Sequence, residues 1–178
     1  MAGKHAQDLR RRIDAAFENL GRQLQGMEAH MERADAPGEW TTREVLSHLL
    51  FERGFEPAAA LAGFSERDYP VVEIDPGATF LDDQRRRMTL PEFKTALDTQ
   101  RRQVLEYVDG LEEREFDQRK ARIPLFKQFM GTDEITLDMY LGAMFDYHWN
   151  DHAGQIEKIR QAVGLDGVAA AKPGAAHG

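Results

Sequence analysis

The sequence predicts an all-α fold, a four-helix bundle with a long crossover between helices 2 and 3, and three observations carry that prediction. Four segments repeat apolar residues at spacings of three and four, the period of one helix face. Two capping boxes, Thr41-x-x-Glu44 and Thr89-x-x-Glu92, mark helix starts. No segment carries a persuasive strand alternation.

The first helix spans about residues 5–32, with Leu9, Ile13, Phe17, Leu20, Leu24, Met27 and Met31 on one stripe, and stops before Ala36-Pro37-Gly38. The second starts at the Thr41 box and runs to about Gly63. Val45, His48, Phe51, Glu52, Phe55 and Ala59 share one of its faces, while Leu46, Leu49 and Leu50 load the other. A helix apolar nearly all round is central to a bundle or part of a subunit interface. The connection from Phe64 to Met88 holds Tyr69-Pro70 and Asp75-Pro76-Gly77, has little sustained period, and has room for a short helix over 79–87.

The Thr89 box opens the third helix, with Pro91 tolerated in its first turn and Phe93, Leu97, Val104, Val108 and Leu111 on its buried side. The stretch from Glu112 to Gly131 is densely charged and interrupted at Ile123-Pro124, which predicts a structured loop. The fourth helix begins near Thr132-Asp133 and reaches about Val163, before Gly164. Its stripe is Leu137, Leu141, Met144, Phe145, His148, His152, Gln155, Ile159 and Val163. One domain over 1–165 is expected, followed by a disordered tail, 166–178, rich in Ala, Gly and Pro.

Composition narrows the chemistry. The chain has no cysteine, so disulfides, thiolate metal sites and cysteine nucleophiles are excluded and any metal must be held by nitrogen or oxygen. A net charge of -8, with Lys and Arg dispersed apart from the short runs Arg10–Arg12 and Arg85–Arg87, disfavours nucleic acid as a partner. The N-terminal residues lack the apolar core of a signal peptide and no apolar run reaches membrane-spanning length, so the expectation is a cytoplasmic protein without a membrane partner.

His148 and His152 stand four apart on the inward stripe of the fourth helix, a spacing that lets two imidazoles converge on one ion. His48 adds a third ring from an apolar face of the second helix. Chance produces such a pair in some chains, and a histidine on an apolar face is often an ordinary core residue. Buried rings nevertheless require partners, and a shared metal is one. Three imidazoles without a carboxylate or thiolate leave coordination positions open, the pattern of catalytic zinc, although imidazole also suits nickel, copper and iron.

Glu52, one turn past His48, is the candidate catalytic carboxylate: it could accept a ring N–H, join the ligands or act as a base, against the plain alternative of a surface residue. Asp151 and Gln155 flank the histidine pair as further polar candidates, Gln155 as a donor to substrate. Trp40, Phe51, Phe145, Tyr147 and Trp149 are candidate pocket walls, with ordinary core packing as the alternative. His5, His30 and His177 receive no role.

The blocks Trp40-Thr-x-x-Glu44-Val-Leu-x-His48-Leu and His148-x-x-x-His152-x-Gly154-Gln155-Ile156 resemble the DinB/YfiT-like superfamily of metalloenzymes. The resemblance covers most of the chain in layout, while its motifs occupy only some twenty positions. It implies a four-helix bundle whose matching histidines, His48, His148 and His152, bind a divalent metal, nickel or zinc, and it implies a homodimer. In part of that superfamily a low-molecular-weight thiol is activated and transferred to a small electrophile, so a thiol-dependent S-transferase is the leading expectation. A hydrolase using a metal-bound hydroxide, or a non-catalytic metal-binding protein of the stress response, are the alternatives. The 64–88 crossover and the 112–127 stretch match no motif, so substrate identity does not transfer.

Overall fold

The computed structural model describes residues 3–165, so the tail expected at 166–178 lies outside the described residues. Helix α1 (Lys4–Gln23) packs its buried Leu9, Ile13, Ala16 and Leu20 against the last helix and against α4 (Leu90–Asp109). Helix α2 (Thr42–Leu49) packs on the same two helices, which closes the bundle around one apolar core. Short helix α3 (Pro57–Ala62) rests on α4.

Both capping boxes form. Thr41 Oγ1 accepts from the Glu44 N–H at 3.2 Å and Glu44 Oε2 accepts from the Thr41 N–H at 2.8 Å; Thr89 and Glu92 repeat the exchange. Each box satisfies end N–H groups that water would otherwise have to solvate, worth about 1 kcal/mol.

Two expected helix ends are corrected. The first helix ends at Gln23 rather than near residue 32, because Gly26 takes a left-handed φ of 73° and a turn follows. Met27 and Met31 stay buried, carried by a short 3₁₀ turn at Glu28–His30. The second helix ends at Leu49 rather than Gly63. Phe51 and Gly54 have φ values of 58° and 80°, and Pro57 cannot continue a helix through its missing N–H, so it opens α3 instead. The all-round apolar character of α2 is used within the chain, where Val45, Leu46, Ser47, His48 and Leu49 are all buried.

The 112–136 region contains more structure than a loop. Helix α5 (Glu115–Gln118), strand β1 (Lys120–Arg122), a 3₁₀ turn at Pro124–Phe126, helix α6 (Lys127–Met130) and strand β2 (Glu134–Thr136) follow in order. The strands pair antiparallel, with Ala121 opposite Ile135, and at three residues each they are too short to display alternation in sequence. The last helix consequently begins at α7 (Leu137–Gly142), capped by Thr136, whose hydroxyl accepts from the Met139 N–H at 3.1 Å. Thr132 serves the preceding turn instead.

A π-helical stretch, Ala143–Tyr147, joins α7 to α8 (His148–Ala162). This extra residue in the helical register rotates the stripe. Beyond it Trp149, Ala153, Ile156 and Ile159 face the core, and the histidine edge lies beside them. Of the short helix allowed for over 79–87, one 3₁₀ turn at Arg85–Arg87 forms.

Candidate metal centre

His48 occupies the last turn of α2, and His148 and His152 the first two turns of α8, so the α2–α8 contact brings the three rings together. One ring nitrogen from each lies within 4.8 Å of the others, and the ring centroids are 4.7–4.9 Å apart. His48 and His152 are buried, and His148 is half-buried.

Hydrogen bonds fix which nitrogen each ring offers. His48 Nδ1–H donates to the Ala78 carbonyl at 2.6 Å, and His152 Nδ1–H donates to Gln155 Oε1 at 2.8 Å. Neither acceptor can donate, so in the neutral rings both Nε2 atoms carry lone pairs directed at the cluster. His148 Nε2 stands 2.9 Å from His48 Nε2, while its buried Nδ1 makes no well-formed hydrogen bond and the ring has only the Met144 backbone as a weak partner. With its proton on Nε2, His148 would bond to His48 and leave a buried acceptor unpaired. With its proton on Nδ1, two lone pairs would face each other. Both arrangements leave an electrostatic cost that a shared cation relieves.

The donor set fits such an ion. A tetrahedral zinc with Zn–N bonds near 2.0–2.1 Å separates its nitrogens by about 3.3 Å, inside the range of separations the cluster spans. Burial also keeps the ligands neutral, as coordination requires. Desolvation pulls His148 down to about 3, assisted by repulsion from His152 and His48 and opposed by the Met144 backbone. Desolvation likewise lowers His152, against the opposing Gln155 hydrogen bond, and lowers His48, against the Ala78 carbonyl and the field of Asp75.

Aromatic rings enclose the cluster. Trp40 lies 4.9 Å from the His48 ring and stacks over His152 at 6.0 Å; Phe80 stacks on His48 at 6.3 Å, and Phe51 lies 6.3 Å from His148. Of the five aromatic residues expected to line a pocket, Trp40 and Phe51 therefore stand at the rings. Phe145 meets Phe51 from the core side, Trp149 is wholly buried against Phe17 and Phe145, and Tyr147 points outward, 73% exposed.

The polar candidates separate too. Gln155 holds His152 as an acceptor rather than standing free to donate to substrate. Asp151 is exposed. Glu52 is exposed beyond the end of α2 and makes no hydrogen bond to the three rings; the break in the helix at Phe51 removes the one-turn relation to His48 on which its placement depended. It lines a neighbouring cavity of about 250 Å³ together with Arg53, Asp82, Gln84 and Arg85.

Sequence reasoning missed the part played by the crossover. Ala78 supplies the His48 acceptor through its backbone, where side-chain identity leaves no trace. The Asp75-Pro76-Gly77 turn signal was visible, and it forms: Asp75 Oδ1 accepts from the Gly77 N–H at 2.9 Å and sets Ala78 in place. Phe80 and Arg85 carried no comparable signal.

No protein-family model matches this sequence, and no curated protein is significantly similar to it. In three dimensions the chain is similar to YfiT from Bacillus subtilis, described as a probable metal-dependent hydrolase with an unusual four-helix bundle topology. The match has a TM-score of 0.69 at 16% identity and covers 93% of this chain and 92% of that one.

Proposed function

From a DinB/YfiT-like fold that brings three histidines together, we propose that this protein is a metal-dependent enzyme whose divalent ion, nickel or zinc, is held by Nε2 of His48, His148 and His152. The observation that carries the reading is the convergence of one ring nitrogen from each histidine within 4.8 Å, with hydrogen bonds to Ala78 and Gln155 leaving Nε2 of His48 and His152 as the lone-pair nitrogens. An ion bound there would supply Lewis acidity that favours the deprotonated form of a coordinated thiol or water near neutral pH.

The chain's own residues prepare that chemistry. Ala78 and Gln155 fix the tautomers of His48 and His152, so neither of those rings has to rotate or lose a proton before it coordinates. Trp40, Phe51 and Phe80 limit water around the rings, which strengthens electrostatic interactions there. Among the described residues no carboxylate hydrogen-bonds to any of these three rings, so proton abstraction by a neighbouring base is not built into the cluster. A coordinated thiol starts from a lower pKa than coordinated water and needs less help from a base, which favours transfer of a low-molecular-weight thiol to a small electrophile. A homodimer and a role in stress response belong to the same proposal.

Metal-dependent hydrolysis is the second reading, favoured by what is said of YfiT. Metal-loaded protein incubated with monobromobimane, with and without a small thiol, is expected to consume the electrophile only when thiol is present. Turnover of ester or amide substrates without thiol would select hydrolysis instead, and its loss in Glu52→Gln would restore Glu52 as a base. Absence of about one metal per chain in protein purified without an affinity tag would remove both readings.

A further inference from the structure

Arg85 is the first of three consecutive arginines, yet it is only 8% exposed while Arg86 and Arg87 face solvent. Burying a guanidinium is costly unless its donors are engaged. Its Nη1 is directed at four acceptors: the Ser47 carbonyl at 3.0 Å, Ser47 Oγ at 3.3 Å, the Phe51 carbonyl at 2.5 Å and the Phe80 carbonyl at 3.2 Å. The acceptors belong to two chain segments that meet at the histidine cluster. Ser47 precedes His48, Phe51 follows it by three, and Phe80 follows Ala78 by two.

Phe51 and Phe80 are the described non-glycine residues with positive φ, at 58° and 54°. A left-handed conformation is strained for a residue with a Cβ, and such strain persists where surrounding structure holds it. Both carbonyls accept from the same nitrogen, and both rings wall the cluster, Phe51 against His148 and Phe80 against His48. The backbone of Arg85 is itself secured. Its N–H donates to Asp82 Oδ1 at 2.8 Å, and its carbonyl accepts from Arg43 Nη1 at 3.0 Å.

We propose that Arg85 is the positioning residue of the histidine centre: by tying the end of α2 to the crossover, it holds the Ala78 carbonyl on His48 Nδ1 and the Phe51 and Phe80 rings against the ligands. The proposal takes the three histidines as the metal centre proposed above. Arg85 touches no ligand ring itself, and acts through the two strained residues.

A residue that merely capped α2 would alter thermal stability and nothing else, so the decisive measurements are local. In metal-free protein, ¹⁵N NMR of the histidine rings is expected to find His48 and His152 as single Nδ1–H tautomers. In Arg85→Lys, which keeps the charge but replaces the planar fork with a single ammonium centre, His48 is expected to become a tautomer mixture while His152, held by Gln155, is unchanged. Cobalt titration followed by absorption is expected to give binding at least about tenfold weaker than wild type, the range typical for loss of a group that orients a metal ligand.

Arg85→Met extends the series, and Arg85→Lys decides alone if the Met variant does not fold. A folded Arg85→Lys protein with the wild-type His48 tautomer and wild-type cobalt affinity overturns the proposal, even if its melting temperature falls. If wild-type protein binds neither cobalt nor zinc, the metal reading fails separately, and the His48 tautomer still decides the role of Arg85.

Discussion

Lowering the pH should destabilise the metal-free protein through its buried histidines before the carboxylates protonate, with His148 contributing most clearly. An unfolded histidine titrates near 6.5, whereas desolvation and its two neighbouring rings bring folded His148 down to about 3. Between those values the unfolded chain binds a proton that the folded protein refuses, so stability rises with pH across the window and is fully present above about 6.5. At pH 5 this one ring should cost about 2 kcal/mol relative to pH 7.5, from 1.36 kcal/mol per pH unit below the unfolded pKa. His48 and His152 are shifted in the same direction and should add to the loss. His5 is shifted upward by its Glu113 hydrogen bond and opposes the trend weakly from the surface. The difference between wild type and His148→Phe removes these shared contributions. Urea unfolding of both proteins at pH 7.5 and pH 5, with chelator present, is expected to leave the variant about 2 kcal/mol less sensitive to acid. Equal losses would mean that the ring is not held neutral and would refute the desolvation argument.

The same reasoning predicts that zinc is held to a lower pH than exposed histidines would hold it, because all three ligand rings are shifted below the ordinary histidine value and protons compete for their nitrogens only beneath it; metal analysis after dialysis at graded pH that shows release already complete at about pH 6 would mean that the rings are not desolvated. Replacing Gln155 with Leu deletes the acceptor on His152 Nδ1 and should weaken zinc binding about 10- to 100-fold, which competition with a chromophoric chelator measures. At Phe51 the left-handed backbone and the buried ring separate cleanly. Phe51→Ala should destabilise by about 3–5 kcal/mol, and Phe51→Gly should recover about 1–2 kcal/mol of that by relieving the conformation. Identical urea midpoints for Gly and Ala would show that the positive φ carries no strain.

How much of this was legible in the sequence depends on where the information resides. The bundle, the two capping boxes and the three histidines are side-chain signals at short spacing, and each forms. Apolar residues keep helical spacing through Phe55 and Ala59 and so predict a second helix longer than the one that forms, although Gly54 and Pro57 interrupt that stretch. Apolar period reports which residues are buried, and a turn can bury them as well as a helix can. Gly54 and Pro57 are thus the stronger signals, and the one-turn relation of Glu52 to His48 is absent because the helix that would carry it ends at Leu49.

The unread half of the centre is backbone. His48 is oriented by a carbonyl thirty residues away, and that carbonyl is set by an Asx-type turn and by an arginine indistinguishable in sequence from the two exposed arginines after it. At the end of α2 the position where glycine most often terminates a helix is taken by Phe51 in the same left-handed conformation. Glycine there would be less strained but would place no ring beside His148. The strain and the ligand environment are therefore coupled, since the backbone geometry that costs stability is what delivers Phe51, and through Arg85 also Phe80, to the histidines.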